Sequence, residues 1–115
     1  MSKLLFVVFF IFSVPSIVTA LPKCDITLHN CIGLYTFGKG HLYYGEFVNK
    51  QLNGWGTLIW GDGEKYVGNW LVSKRHGWGE MTYKNGDKYK GEWVDNDFSG
   101  WGAFTSEDGT MQEGV

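Results

Sequence analysis

Few residues of this chain are of a type and spacing that could do chemistry, and those few point to cross-linking and contact rather than turnover. The 115 residues hold two cysteines, Cys24 and Cys31, and three histidines, His29, His41 and His76. In an oxidising compartment two cysteines are the minimum for one disulfide, whereas a structural zinc site needs four donors. Only His29 lies near the pair, so a disulfide between Cys24 and Cys31 is expected and a metal is not. Closing so short a loop would contribute about 2–3 kcal/mol. No Gly-x-Ser-x-Gly, His-Glu-x-x-His or phosphate-loop motif occurs, and these are the arrangements that activate a nucleophile, hold zinc or cradle phosphate. Glu46 and Glu92 share a recurring position, but Asn69 interrupts them, which leaves no catalytic carboxylate series. The three histidines occupy no shared repeat position, and His76 reads as structural. The chain is expected to be non-enzymatic, with no catalytic residue, no metal and no cofactor.

A different chemistry is carried by Trp55, Trp78 and Trp101, each set between two glycines and each 23 positions from the next. Flat rings at a regular spacing can stack on sugars, seat a partner protein or rest at a lipid interface. Alternatively they only shield a sheet or pack across a hairpin on Val48, Leu71 and Val94. Which applies depends on the elements that position them.

Those elements repeat. Shifting the chain by 23 residues aligns Gly45, Gly68, Gly91 and Gly114 in one series. Gly54, Gly77 and Gly100 form a second, Gly56, Gly79 and Gly102 a third, and Gly40, Gly63, Gly86 and Gly109 a fourth. Aromatic rings follow the same period in Tyr43, Tyr66 and Tyr89 and in Phe47, Trp70 and Trp93. A gapless period in the twenties signals stacked supersecondary units. Each unit alternates with period two, first in Tyr66-Val67-Gly68-Asn69-Trp70 and again in Gly77-Trp78-Gly79-Glu80-Met81-Thr82-Tyr83, as half-buried strands do. Asp62-Gly63, Asn85-Gly86 and Asp108-Gly109 are read as primed hairpin turns, and Ser73-Lys74-Arg75-His76 as a looser polar loop. No helical apolar period follows Ala20. The expected fold is all-β: an elongated, single-layer antiparallel meander of stacked β-hairpins.

Alternation also divides the faces. Tyr66, Gly68, Trp70, Gly77, Gly79, Met81 and Tyr83 fall on one side, and glycine there leaves room for neighbouring rings. Tyr43, Gly45, Phe47, Tyr66, Gly68, Trp70, Tyr89, Gly91 and Trp93 are therefore the expected repeat core. Trp55, Trp78 and Trp101 fall on the other side, about 9–10 Å apart at ~4.8 Å per strand, as a candidate contact strip. Cys24 and Cys31 shift onto the Phe47 and Gly54 positions. If a loop over 48–53 joins the strands, those positions face each other.

Tyr-x-Gly-x-Trp, a polar turn, Gly-x-Gly, a ring and then Asp/Asn-Gly at this pitch resembles the MORN repeat. Residues 43–65, 66–88 and 89–111 match as full units, an N-terminal cap with a partial unit occupies 21–42, and 112–115 begins a further one. The resemblance implies a sheet of stacked hairpins and a role in protein scaffolding or, in some relatives, phospholipid contact. Ile32-Gly33 lacks the leading glycine of the pattern, and Gln112 stands where tyrosine is expected.

Residues 1–20 read as a secretory signal peptide. Lys3 precedes an apolar run from Leu4 to Val18, and Val18-Thr19-Ala20 suits cleavage after Ala20. The mature chain would be secreted, extracellular or periplasmic. Without Lys3 it carries nine Lys/Arg against twelve Asp/Glu, a formal net charge of −3, which disfavours nucleic acid as a partner. The expected partner is a protein, held on the open sheet or through self-association at the C-terminal sheet edge. Glycan stacking on the tryptophan strip is the alternative. Lipid contact through Lys74-Arg75-His76 is a third, weakened because the equivalent Asp95-Asn96-Asp97 is acidic.

Overall fold

The computed structural model describes residues 21–115, and the expected signal peptide, residues 1–20, lies outside them. Eight strands form one antiparallel sheet in chain order: β1 (Cys31–Phe37), β2 (His41–Val48), β3 (Gln51–Ile59), β4 (Lys65–Leu71), β5 (Lys74–Thr82), β6 (Lys88–Val94), β7 (Asp97–Thr105) and β8 (Met111–Gly114). This is the single-layer meander that the repeat implies.

One rank of glycines crosses the whole sheet. Gly33 pairs with Gly45, Gly45 with Gly56, Gly56 with Gly68, and so on through Gly79, Gly91 and Gly102 to Gly114. With no side chain along this line, the rings of Tyr43, Tyr66 and Tyr89 lie against bare backbone. A Cβ added at Gly79 would stand 2.1 Å from the Tyr66 hydroxyl and 2.3 Å from its Cζ. The hydroxyls reach carbonyls that the ladder leaves free. Opposite Glu46, Asn69 and Glu92 the register slips, because each return strand carries extra residues. Tyr43 Oη donates to the Glu46 carbonyl at 2.8 Å, Tyr66 Oη to Asn69 at 2.9 Å and Tyr89 Oη to Glu92 at 3.2 Å. Without these bonds, partly buried acceptors would lose a partner.

The rings then pack edge to face along the same side of the sheet. Tyr43 meets Phe47 at 5.0 Å and Trp70 at 6.0 Å, and Tyr66 meets Trp70 at 4.9 Å and Trp93 at 5.4 Å. Edge-to-face contact between aromatic rings is favourable beyond the area buried. Trp70 and Trp93 donate their indole N–H groups to the carbonyls of Gly56 and Gly79. Tyr43 and Tyr66 are fully buried, and Leu58, Met81 and Tyr89 extend the core.

Three local expectations are corrected. The tight two-residue turns are Asn49-Lys50, Val72-Ser73 and Asp95-Asn96, all with both residues at positive φ. Asp62-Gly63 instead belongs to a three-residue loop, Gly61–Gly63, closed by the Trp60 N–H to Glu64 carbonyl bond at 2.9 Å, with Gly63 at φ 95°. That is the type I turn followed by a left-handed glycine, in which Asp caps the chain two residues on rather than entering a primed turn. The Asp62 carboxylate accepts from Glu64 N–H at 2.9 Å. Second, Lys74-Arg75-His76 opens β5 and is not a loop. Third, Gly77 (φ 73°) sits in the register slip, where an added Cβ would meet Asn69 on the outer face rather than Tyr66 on the inner.

At the N-terminus the Sγ atoms of Cys24 and Cys31 stand 2.06 Å apart, at disulfide distance. They are not facing strand positions, because the tight turn pairs Phe47 with Leu52 rather than with Gly54. Instead the stretch at Pro22–Cys24 runs along β1, with Ile32 bonded to Pro22 and Cys24 to Ile32.

Two predictions follow from this architecture. Val72 is β-branched yet left-handed (φ 48°), where the other turns use Asn49 and Asp95, and it is exposed. Val72→Asn should therefore raise stability by about 1 kcal/mol in denaturant melts; a loss would show that Val72 is not strained. Burial pushes the phenol of Tyr66 up to about 12 from 10.0, opposed in part by Arg75. Burial first, and then the nearby Glu46 charge, raise Tyr43 as well. A phenol whose proton is held more tightly when folded contributes stability that is fully present below pH 10.0 and lost as pH rises through about 12. Tyrosinate absorbance of these residues should thus appear together with loss of the β signal, and not before it.

Candidate functional site

The inner face is covered at its centre and open toward the tight turns. There the second residue of β3, β5 and β7 pairs with a core ring: Leu52 with Phe47, Arg75 with Trp70 and Phe98 with Trp93. The row is thus apolar, cationic, apolar. Leu52 is buried, while Phe98 is exposed on one side and stacks on Tyr89 at 4.0 Å with the other.

Arg75 lies between two apolar neighbours because strand alternation turns it inward. Its guanidinium carbon stands 4.8 Å from the centroid of Trp93 and 5.8 Å from that of Trp60, within cation–π range. Nε donates to Asn96 Oδ1 at 3.2 Å and Nη2 to the Asn96 carbonyl at 3.3 Å, while Nη1 reaches only the Met81 sulfur at 3.7 Å. A guanidinium has five N–H donors, so two have no acceptor among the described residues. Burial lowers its pKa, although Tyr83, Tyr66, Asp97 and Glu64 pull the other way. None of those carboxylates forms an ion pair with it; among the described residues the ion-pair contact is His76 with Asp95 at 3.9 Å.

Around Arg75 runs an open groove of about 620 Å³ whose aromatic walls are Tyr35, Phe37, Phe47, Trp60 and Trp70. Among the described residues, two cations, Lys50 and Arg75, line it and no carboxylate does. On its other side Arg75 borders a smaller hollow of about 410 Å³, where Glu64 and Asp97 lie. Tyr35 and Phe37 form the exposed far end and stack at 6.3 Å. The sequence reading missed this site because it placed Arg75 in a loop. The signal was present in the period: 52, 75 and 98 are Leu, Arg and Phe.

The tryptophan row lies on the outer face. Trp55 pairs with Asn69 and Trp78 with Glu92, the positions that alternate away from the buried tyrosines. Trp55, Trp78 and Trp101 are 51%, 39% and 43% exposed. Trp78 and Trp101 stand on strands two apart, but their rings lean together across that distance, parallel within 6° at 6.2 Å. One face of each is thereby turned to the other. Two members of the interrupted Glu46, Asn69, Glu92 series bridge the register slips: the Glu46 carboxylate accepts from Trp55 N–H, and Asn69 Nδ2 donates to the Trp78 carbonyl.

Comparison with curated proteins returns no match. The MORN repeat family profile matches three consecutive segments, residues 43–65, 66–88 and 89–111. The repeats of this family are generally protein- or membrane-binding modules. With more than half of its length matched, and with eight paired strands laid down two per unit, the chain belongs to the MORN repeat family.

Proposed function

We propose that the chain is an exported, non-enzymatic binding module that seats an extended segment of a partner protein along the inner-face groove. The observation that carries this reading is the groove itself: aromatic walls, two cations and no lining carboxylate, in a chain whose formal net charge is negative. An open groove suits a strand-like polypeptide better than an enclosed small molecule, and half-exposed aromatics are the side chains that dominate such contacts. Export rests on the leader pattern with cleavage after Ala20. The cysteine pair at disulfide distance points the same way, since such pairs persist in oxidising compartments. A Cys24–Cys31 bridge would cap the first hairpin of the described residues.

Glycan stacking on the outer row is the second reading, favoured by Trp55, about half exposed, and disfavoured where Trp78 and Trp101 cover each other. Panning a phage-displayed random dodecapeptide library on the mature chain separates the two surfaces. Replacing Tyr35 and Phe37 together by Ala should weaken the selected peptides roughly tenfold or more while the β spectrum is kept. Replacing Trp55, Trp78 and Trp101 together by Ala should leave those peptides bound. The opposite pattern would move the contact surface to the outer face. Capture by insoluble polysaccharide that is lost in the triple variant would establish the glycan reading.

A further inference from the structure

We infer that Arg75 is the anion-recognition residue of this groove, and that the segment seated there presents a carboxylate, from Asp or Glu, flanked by apolar side chains. The inference rests on the groove being the binding surface.

Arg75 occupies a position that the neighbouring repeats fill with Leu52 and Phe98, so the fold itself asks for an apolar residue there. Arg75 is half-buried, so placing a guanidinium in that row takes part of its charge out of water, which is costly to the extent that the charge is unpaired. The protein pairs it incompletely. Asn96 supplies two oxygens and Met81 a sulfur, two donors are left over, and no carboxylate closes within ion-pair distance. Trp93 and Trp60 hold the plane of the group. A fixed planar fork with free donors matches a carboxylate through parallel hydrogen bonds. Lys50, also lining the groove, adds positive potential, whereas Glu64 and Asp97 face the smaller hollow on the far side. An incoming carboxylate therefore meets the cation from the groove side, and rings on either side accept apolar neighbours.

A membrane surface fits these observations less well. Surface binding needs several cations spread over an exposed face, but the row contains one, it is turned inward, and the adjacent Asp95-Asn96 turn and Asp97 at the start of β7 add two carboxylates.

The test uses the mature chain, the dodecapeptides selected from the displayed library, and matched forms of each with Asp/Glu changed to Asn/Gln. Arg75→Leu reproduces the residue of the preceding repeat, so it should fold, which circular dichroism verifies; Arg75→Lys keeps charge without the fork. Selected peptides should carry an acidic residue beside aromatic or aliphatic ones. Their amide forms should bind the native chain about 30-fold more weakly, the scale of a hydrogen bond to a charged group. Arg75→Leu should bind both forms equally, and Arg75→Lys should recover part of the difference. If peptides are selected but acid and amide forms bind the native chain alike, the inference fails while the groove reading stands. If no peptide is enriched, the groove reading fails first. Arg75-dependent flotation with phosphatidylserine vesicles, without any acid preference among peptides, would overturn the inference in favour of a lipid surface.

Discussion

A tyrosine ring lying flat on bare backbone is the contact on which this molecule depends. A one-layer sheet has no second layer to bury it, so its core must be made within its own thickness. Eight paired glycines, one per strand, remove the side chains along a line across the sheet. Tyr43, Tyr66 and Tyr89 fill that line, and their hydroxyls pair with the carbonyls freed by the register slips. Burial of large rings and satisfaction of backbone polar groups are thereby met by the same three side chains.

The contact propagates because Tyr43 and Tyr66 each touch two units. Tyr66 meets Trp70 of its own hairpin and Trp93 of the next. The tight turns add a second tie: the N–H groups of Lys50, Ser73 and Asn96 donate to the carbonyls of Leu28, Leu52 and Arg75, one repeat back. Each hairpin is thus stabilised chiefly by its neighbours, as in other repeat proteins. At the N-terminal end of the described residues, Leu28 and the close cysteine pair occupy that role. The same one-sided construction leaves the inner face open beyond the tyrosines, and the groove containing Arg75 follows from that opening.

Much of this was legible in the residues. Glycines and rings recurring without gaps announced strands laid down in pairs, and alternation separated Tyr66 from Trp78 correctly. What alternation could not supply was the extra length in the return strands. Two residues at positive φ can close a hairpin without glycine, as Val72-Ser73 does, so this connection carried no turn signature and was read as a looser loop over Ser73–His76. Misplacing that turn put Arg75 in a loop and made it a surface charge. Its inward aim, its rings and its incomplete pairing became visible only once β5 began at Lys74. The parallel contact of Trp78 with Trp101 depends on ring tilt, which spacing along strands does not fix.

The glycine rank is tested most directly by comparing Gly79→Ala with Gly114→Ala in equilibrium denaturation. Both positions belong to the same rank, but a Cβ at Gly79 would collide with the buried Tyr66 ring, whereas one at Gly114 meets nothing within 4 Å. Expelling that ring should cost Gly79→Ala about 3 kcal/mol or more, while Gly114→Ala should stay within ~0.5 kcal/mol of the parent. Equal stability of the two variants would contradict the account, because the tyrosines would then not need the bare backbone beneath them.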